Sequence, residues 1–156
     1  MHRSIHVIIG AISGLFFASK LYLIPLCLIM GGIGGYIPDF DLRFGHRKSL
    51  HNLFSVLIGG IGLYLLLNLF PLNLLRNNVW SLTLSFVAGW LLHICCDSLT
   101  KRGVYIIWPF SNRVYGLRIF RSDSLASTAM GFIIAFILLL SWLIYSGALE
   151  LLIKYL

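Results

Sequence analysis

The chain has ten histidines and acidic residues, the side chains best suited to binding a metal. Eight of the ten lie in three short segments. His93 and Asp97 are four residues apart in the run "LLHICCDSLT". On a helix this spacing places both side chains on one face. There they can share a metal ion, or Asp97 can orient the imidazole ring. The structural alternative is a helix-end aspartate beside a packed histidine, but ionisable groups inside apolar helices are costly and usually functional.

A second group of metal-binding residue types lies in "PDFDLRFGHRKSLH". Pro38 ends a preceding helix, so Asp39 and Asp41 stand at a helix exit or in a turn. There they either aim two carboxylates at one cation or form a cap or Asx turn. His46 and His51 follow, five residues apart, which does not place them on one helical face.

The third segment is the N-terminus, where His6 begins an apolar run and His2 stands one turn earlier. An HxxxH pair can bind zinc, although the start of a chain often frays. Imidazole and carboxylate ligands without thiolate suit zinc, manganese or iron acting as a Lewis acid. The donors suffice for one or two ions. We therefore predict a divalent metal, with zinc as first choice, and with Asp39 or Asp41 free to act as general base.

Basic residues next to these segments predict an anionic ligand. We expect them to attract a group such as a lipid phosphate, and the alternative is that they mark only the cytoplasmic side of a membrane protein. The four residues are Arg47, Lys48, Lys101 and Arg102.

The composition indicates that lipid covers the elements that carry these residues. The chain is 59% hydrophobic and only 11% charged, whereas a soluble domain is about 25% charged. So few polar side chains cannot cover a core this apolar, which predicts an all-α, polytopic membrane helix bundle formed by residues 1–156 as one domain. In such a protein the net charge of +7 indicates anionic headgroups as partners and not nucleic acid. The oligomeric state is left open.

Three uncharged runs predict transmembrane helices, at residues 53–70, 79–96 and 125–146. The first 37 residues contain two shorter apolar runs, at 5–19 and 21–36, which form either a helical hairpin or two partial spans. Segments 38–52 and 97–124 are separated by two spans and so lie on the same side. They carry eight of the twelve Lys and Arg residues, which predicts that this side is cytoplasmic in an inner or plasma membrane.

The order of these motifs resembles the LexA-regulated, membrane-bound metal-dependent hydrolase family, also described as YdjM-like. An early histidine, "PDFD", "GHRKSLH" and "HICCDSLTKRGVYIIWPF" carry the resemblance over about residues 1–125. The family pattern has a glutamate after this last motif, where the present chain has Ala126, with Ser122 and Asp123 close by. The metal ligands or catalytic groups that the resemblance implies are His6, Asp39, Asp41, His46, His51, His93 and Asp97.

That family is distantly similar to the all-helical zinc-dependent phospholipases C and single-strand nucleases, which implies phosphoester hydrolysis by analogy. The function expected from the sequence is therefore a membrane metal-dependent hydrolase. Its substrate would be a phosphoester of a lipid or another membrane-proximal anionic molecule, cleaved by a metal-activated water at the cytoplasmic face. The alternatives are a non-enzymatic membrane protein that binds or transports metal, or a structural or regulatory relative whose site has decayed.

Overall fold

The regular structure of the described residues is entirely helical. The structure, a computed structural model, describes residues 2–44, 48–70 and 72–148, with the backbone alone at 41–44. Within these ranges it has six α-helices, short 3-10 turns and no β-strand, which confirms the all-α prediction. The helices are α1 (Arg3–Gly14), α2 (Ile24–Tyr36), α3 (Leu53–Leu69), α4 (Asn73–Arg76), α5 (Val79–Ser98) and α6 (Leu125–Tyr145).

Three helical stretches are long and apolar enough to cross a membrane, as a polytopic bundle requires. They are Leu21–Phe40, which includes α2, together with Val79–Ser98 and Leu125–Tyr145. The predicted span at 53–70 is helix α3, whose 17 residues are at the short end of the ~17–25 residues of a membrane span. Leu21–Phe40 also forms a long helical stretch, because Pro25 stands in the first turn of α2, where the missing N–H of proline costs no helical hydrogen bond.

Helices α1 and α2 form a hairpin, one of the two alternatives left open for the N-terminal runs, and both pack against α5 at backbone distance. A β-carbon at Gly34 would overlap the Phe86 carbonyl, and one at Gly89 would overlap the Gly31 carbonyl. One at Gly10 would also overlap Gly31. Small residues permit such close approach between membrane helices. The hairpin is therefore part of the bundle interior.

Helices α3 and α6 lie on the outside of this three-helix core. α3 packs on α5, where the Trp90 ring lies against Gly59, and α6 is tied to α1 by the Trp142 indole N–H, which donates to the Leu15 carbonyl (3.1 Å). The outer face of α6 is apolar, with Phe136 66% exposed. Water-soluble monomers rarely expose so large an apolar surface, so lipid covers this face.

The segment between α5 and α6 folds back over the C-terminal end of α5. Val104 and Tyr115 exchange two backbone hydrogen bonds (2.9 and 2.8 Å), and the Leu117 N–H donates to the Ser98 carbonyl (2.8 Å). The Lys101 N–H donates to the Phe120 carbonyl (2.7 Å). The basic segment 97–124 is thus held close to the end of α5.

Candidate metal centre

Five ionisable side chains from four parts of the chain meet at one end of the bundle. His6 comes from the first turns of α1, Asp39 from the 3-10 turn after α2, and His51 from the bend before α3. His93 and Asp97 come from the last turns of α5. All five are at most 5% exposed. We call these five residues the His–Asp cluster.

The distances within the His–Asp cluster centre on Asp97. One of its oxygens lies 3.3 Å from His6 Nε2, and the other lies 3.6 Å from His51 Nε2 and 3.8 Å from His93 Nε2. Asp39 Oδ1 lies 3.8 Å from His93 Nε2. The rings of His6 and His93 are stacked, with centroids 3.8 Å apart. Two donor groups share His93: one also contains His6 and Asp97, and the other contains Asp39 and His51.

The proton on the His93 ring is fixed by a backbone contact. His93 Nδ1 lies 2.7 Å from the Gly35 carbonyl oxygen, and since a carbonyl can only accept, Nδ1 must carry the hydrogen. In the neutral ring the lone pair is then on Nε2, which lies within the His–Asp cluster. This arrangement is usual for a metal-ligating histidine. The close packing of α1, α2 and α5 therefore sets the orientation of His93 as well as its position.

Asn52 holds the segment that delivers His51, and it was not among the site residues predicted from the sequence. Its fully buried side chain donates to the carbonyls of Lys48 (2.7 Å) and Ser49 (2.9 Å), and its Oδ1 accepts from the Ser55 N–H (2.8 Å). Asn52 is thus the N-cap of α3. The signal available in the sequence was an asparagine immediately before an apolar helix, a preferred N-cap position.

Trp90 gives the same segment a second attachment, also missed from the sequence. Its indole N–H donates to the carbonyl of Leu50 (2.9 Å), the residue before His51. Because Trp90 belongs to α5, this bond ties the His51 segment directly to the helix that carries His93 and Asp97. No sequence spacing indicates such a pairing, since the two residues are 40 positions apart.

The His–Asp cluster has the donors and the unsatisfied atoms that a divalent cation requires. The donor atoms of each of its two groups lie within 4.8 Å of one another. Within the part of the chain that the structure describes, buried His93 Nε2 and Asp39 Oδ2 have no hydrogen-bond partner. Buried polar atoms are normally paired, and a cation between imidazoles and carboxylates would satisfy them.

The structure brings together five of the seven predicted ligands. The backbone of Asp41 lies in the 3-10 turn Ile37–Phe44, but its side chain is outside the described residues, as are His46 and Arg47. His2 is exposed and stands apart from the buried His–Asp cluster.

Three of the four predicted anion-binding residues lie around the same end of the bundle. Lys48 is half-buried, with its Nζ 4.9 Å from the centroid of the Tyr105 ring, and Lys101 and Arg102 are exposed on the segment after α5. The structure adds Arg3, whose Nε lies 3.9 Å from Asp39 Oδ2. The only feature of the sequence that indicated a place for Arg3 near the site was its position three residues before His6.

The residues around the missing glutamate do not supply a further ligand. Ala126 is exposed, and the Asp123 side chain is 75% exposed, with Oδ1 3.5 Å from Arg121 Nε. A hydrogen bond from its own backbone N–H, together with Arg121, lowers the pKa of Asp123. The hydroxyl of Ser122 is buried, but a serine supplies no carboxylate. The His–Asp cluster therefore has no carboxylate from this stretch.

A family model described as "YdjM inner membrane protein" matches residues 1–153. The chain belongs to this family. Membership agrees with the three helical stretches long enough to cross a bilayer, so this is a membrane protein. The match covers nearly the whole chain and so extends beyond residues 1–125, the range over which the sequence motifs carry the resemblance. Neither a search of curated proteins nor one of solved structures found a match, and the family description names a location and no activity.

Proposed function

We propose that this protein is an integral membrane metal-dependent hydrolase that cleaves a phosphoester of a lipid or another membrane-proximal anionic substrate. The observation that carries the proposal is the buried His–Asp cluster. Taking three histidines and two aspartates out of water inside a membrane bundle is costly unless they are paired or bind a metal. Such groups are retained in membrane helices mainly for function.

A divalent cation, with zinc as first choice and manganese or iron as alternatives, fits the donor set. His6, His93 and Asp97 would hold one ion, and Asp39 and His51 would complete that site or, with His93, form a second. When bound, such an ion lowers the pKa of a water towards 7 and polarises a phosphoryl oxygen. This is the chemistry that hydrolysis of a phosphoester needs.

The remaining steps belong to side chains of the chain itself. In the arrangement in which His6, His93 and Asp97 alone hold the ion, Asp39 is free of metal and suited to accept the proton of the attacking water, because its Oδ2 has no hydrogen-bond partner among the described residues. Arg3, 3.9 Å away, is half-exposed and marks the side from which substrate enters. Asp41 is the second candidate for the base. The predicted cations Arg47, Lys48, Lys101 and Arg102 would bind the anionic group.

The cytoplasmic face is proposed from the distribution of charge. Segments 38–52 and 97–124 hold eight of the twelve basic residues, and contacts of His51 and Asp97 bring the two segments to one end of the bundle. Arg3 adds a ninth basic residue at this end. An excess of Lys and Arg marks cytoplasmic segments.

The packing below the His–Asp cluster disfavours metal transport. The glycine contacts of α1, α2 and α5 place their backbones in direct contact, which leaves no space between them for a passing ion. The serine hydroxyls in this region already donate to backbone carbonyls, Ser13 to Gly10 (2.7 Å) and Ser85 to Ser81 (2.7 Å) and, across to α1, Gly14 (3.2 Å). A site at one end of a closed bundle suits catalysis better than translocation.

Hydrolysis by the purified protein in detergent tests the proposal. Anionic phospholipids and a soluble phosphodiester would be incubated with zinc- or manganese-loaded protein, and the released phosphate or alcohol measured. His93→Ala and Asp39→Asn should each lower the rate by about 10²-fold or more. The exposed residues give matched controls, His2→Ala and Asp123→Asn, which should keep the wild-type rate.

Two results would overturn the proposal. Bound metal with no turnover on any phosphoester would favour a non-enzymatic metal-binding protein. Equal loss of activity in His93→Ala and His2→Ala would show that the His–Asp cluster is not the reacting site.

A further inference from the structure

An apolar groove of about 400 Å³ runs between α3 and α5 on the outside of the bundle. Its walls include Val56 and Gly60 of α3 and Val87 of α5, and Tyr64 and Trp80 close one end. Gly60 gives the groove its depth, because the α3 surface is missing a side chain at that position. In a membrane protein, a concave apolar surface on the outside of the bundle faces hydrocarbon.

The other end of the groove is level with the His–Asp cluster along the bundle. Leu53 and Leu91 line this end, and each is two residues from a member of the cluster, His51 and His93. Because residues two apart on a helix point to opposite sides, Leu91 faces the groove and His93 faces the cluster on the inner side of α5. From Trp80 to Leu91 the groove follows α5 for about 16 Å at 1.5 Å per residue. This is about half the ~30 Å hydrocarbon thickness of a bilayer, the depth of one leaflet.

The end of the groove that is level with the His–Asp cluster also lies near a basic side chain. The Leu53 N–H donates to the Ile106 carbonyl (3.1 Å), so the segment after α5 meets the groove there. Tyr105, the residue before Ile106, lies under the ammonium group of Lys48 at 4.9 Å. The apolar groove is thus about one leaflet deep and has the Lys48 ammonium group near one end. Such a surface is complementary to a molecule that has an acyl chain and an anionic headgroup.

We propose that this groove binds one acyl chain of an anionic glycerophospholipid, with the headgroup at the Lys48 end. This deepens the proposed function, on which it rests for the further step that the bound lipid is the substrate. Lipid binding itself does not require turnover, so the two ideas can fail separately. A second copy of the chain or a partner helix is the competing occupant.

Photo-crosslinking in lipid nanodiscs tests the groove. The probe is phosphatidylglycerol with a diazirine on one acyl chain, compared with the same diazirine on phosphatidylcholine, and the labelled residues are mapped by mass spectrometry. Labelling of the groove is expected to favour the anionic probe, and labelling of the exposed face of α6 around Phe136 should not distinguish the two probes. Lys48→Ala should remove the preference.

Two glycines of α3 provide matched variants. Gly60→Leu fills the groove and displaces the Val87 side chain, whose Cγ2 would lie 2.8 Å from the new β-carbon, whereas Gly62→Leu adds the same side chain where nothing lies within 4 Å. Gly60→Leu should lower groove labelling by about tenfold, the equivalent of 1.4 kcal/mol, while Gly62→Leu leaves it unchanged. Leu57→Trp, at an exposed position in the groove wall, tests the same point in case Gly60→Leu fails to fold.

The proposal is overturned if both probes label the groove and α6 alike, or if the Gly60 and Gly62 variants behave the same. A cross-linked dimer through α3 in place of lipid labelling would assign the groove to a second copy. If lipid labelling follows the proposal but no phosphoester is cleaved, the groove stands and the hydrolase proposal fails.

Discussion

Replacing Gly89 with alanine is expected to disturb the His–Asp cluster without altering any of its members. A β-carbon at Gly89 would overlap the Gly31 carbonyl oxygen and lie 2.9 Å from its carbonyl carbon, where ordinary contact begins at 3.4 Å. The atoms in contact are backbone, so no side chain can rotate away. Helix α2 must therefore move from α5 by about 1 Å, a shift of the kind that overpacking imposes.

The displacement acts on the His93 ring through its backbone partner. Its bond to the Gly35 carbonyl is 2.7 Å long, and an increase of about 1 Å takes it beyond hydrogen-bonding distance. Overpacking costs about 1–3 kcal/mol and the lost bond about 1 kcal/mol, against a gain of up to about 1 kcal/mol from replacing glycine in a helix. The free energy of unfolding should fall by about 2 kcal/mol, and metal affinity should fall with it.

Thermal unfolding in detergent, followed by circular dichroism, measures the loss of stability, and titration with zinc measures the affinity. Gly62→Ala is the control, because its β-carbon meets nothing within 4 Å, and it should unfold at the wild-type temperature or slightly above. The reasoning would be refuted if Gly89→Ala and Gly62→Ala had the same unfolding temperature and zinc affinity.

Three further predictions test the surroundings of the His–Asp cluster. Asn52→Ala should cost about 1–2 kcal/mol as a lost N-cap and also weaken zinc binding, whereas Ser124→Ala, which removes the N-cap of α6, a helix that carries no member of the cluster, should affect stability alone in the same titration. Trp90→Phe should weaken zinc binding by several-fold, since about 1 kcal/mol of hydrogen bonding to the His51 segment is lost, and unchanged affinity would contradict that role. In intact spheroplasts a membrane-impermeant maleimide should label Lys20→Cys and spare Lys101→Cys, and the reverse pattern would place the His–Asp cluster outside the cytoplasm.

The helices were predictable where the apolar runs are long and uninterrupted. The runs at 79–96 and 125–146 correspond to Val79–Ser98 and Leu125–Tyr145 within two residues. The N-terminal run was harder, because Lys20, Pro25 and Pro38 suggested interruptions. Proline at the start of a helix and in a 3-10 turn does not interrupt it, so Leu21–Phe40 is one helical stretch that is long and apolar enough to cross a membrane.

Five members of the predicted ligand set could be found in the sequence because ionisable residues are scarce in so apolar a chain. Their attachments could not be found in the same way. The contacts of Trp90 with Leu50 and of His93 with Gly35 join positions 40 and 58 residues apart, and they depend on how closely the helices approach. Glycine at positions 31, 34 and 89 permits that approach, but a glycine-rich sequence does not say which backbones will touch.

The most direct test of a metal-dependent site is the metal content of the detergent-purified protein. Elemental analysis of protein prepared with zinc, manganese and iron present should find about one or two equivalents in the wild type and in His2→Ala. His93→Ala and Asp39→Ala should have lost most of it. No bound metal in the wild type, or equal occupancy in His93→Ala and His2→Ala, would contradict the assignment of the His–Asp cluster as a metal centre.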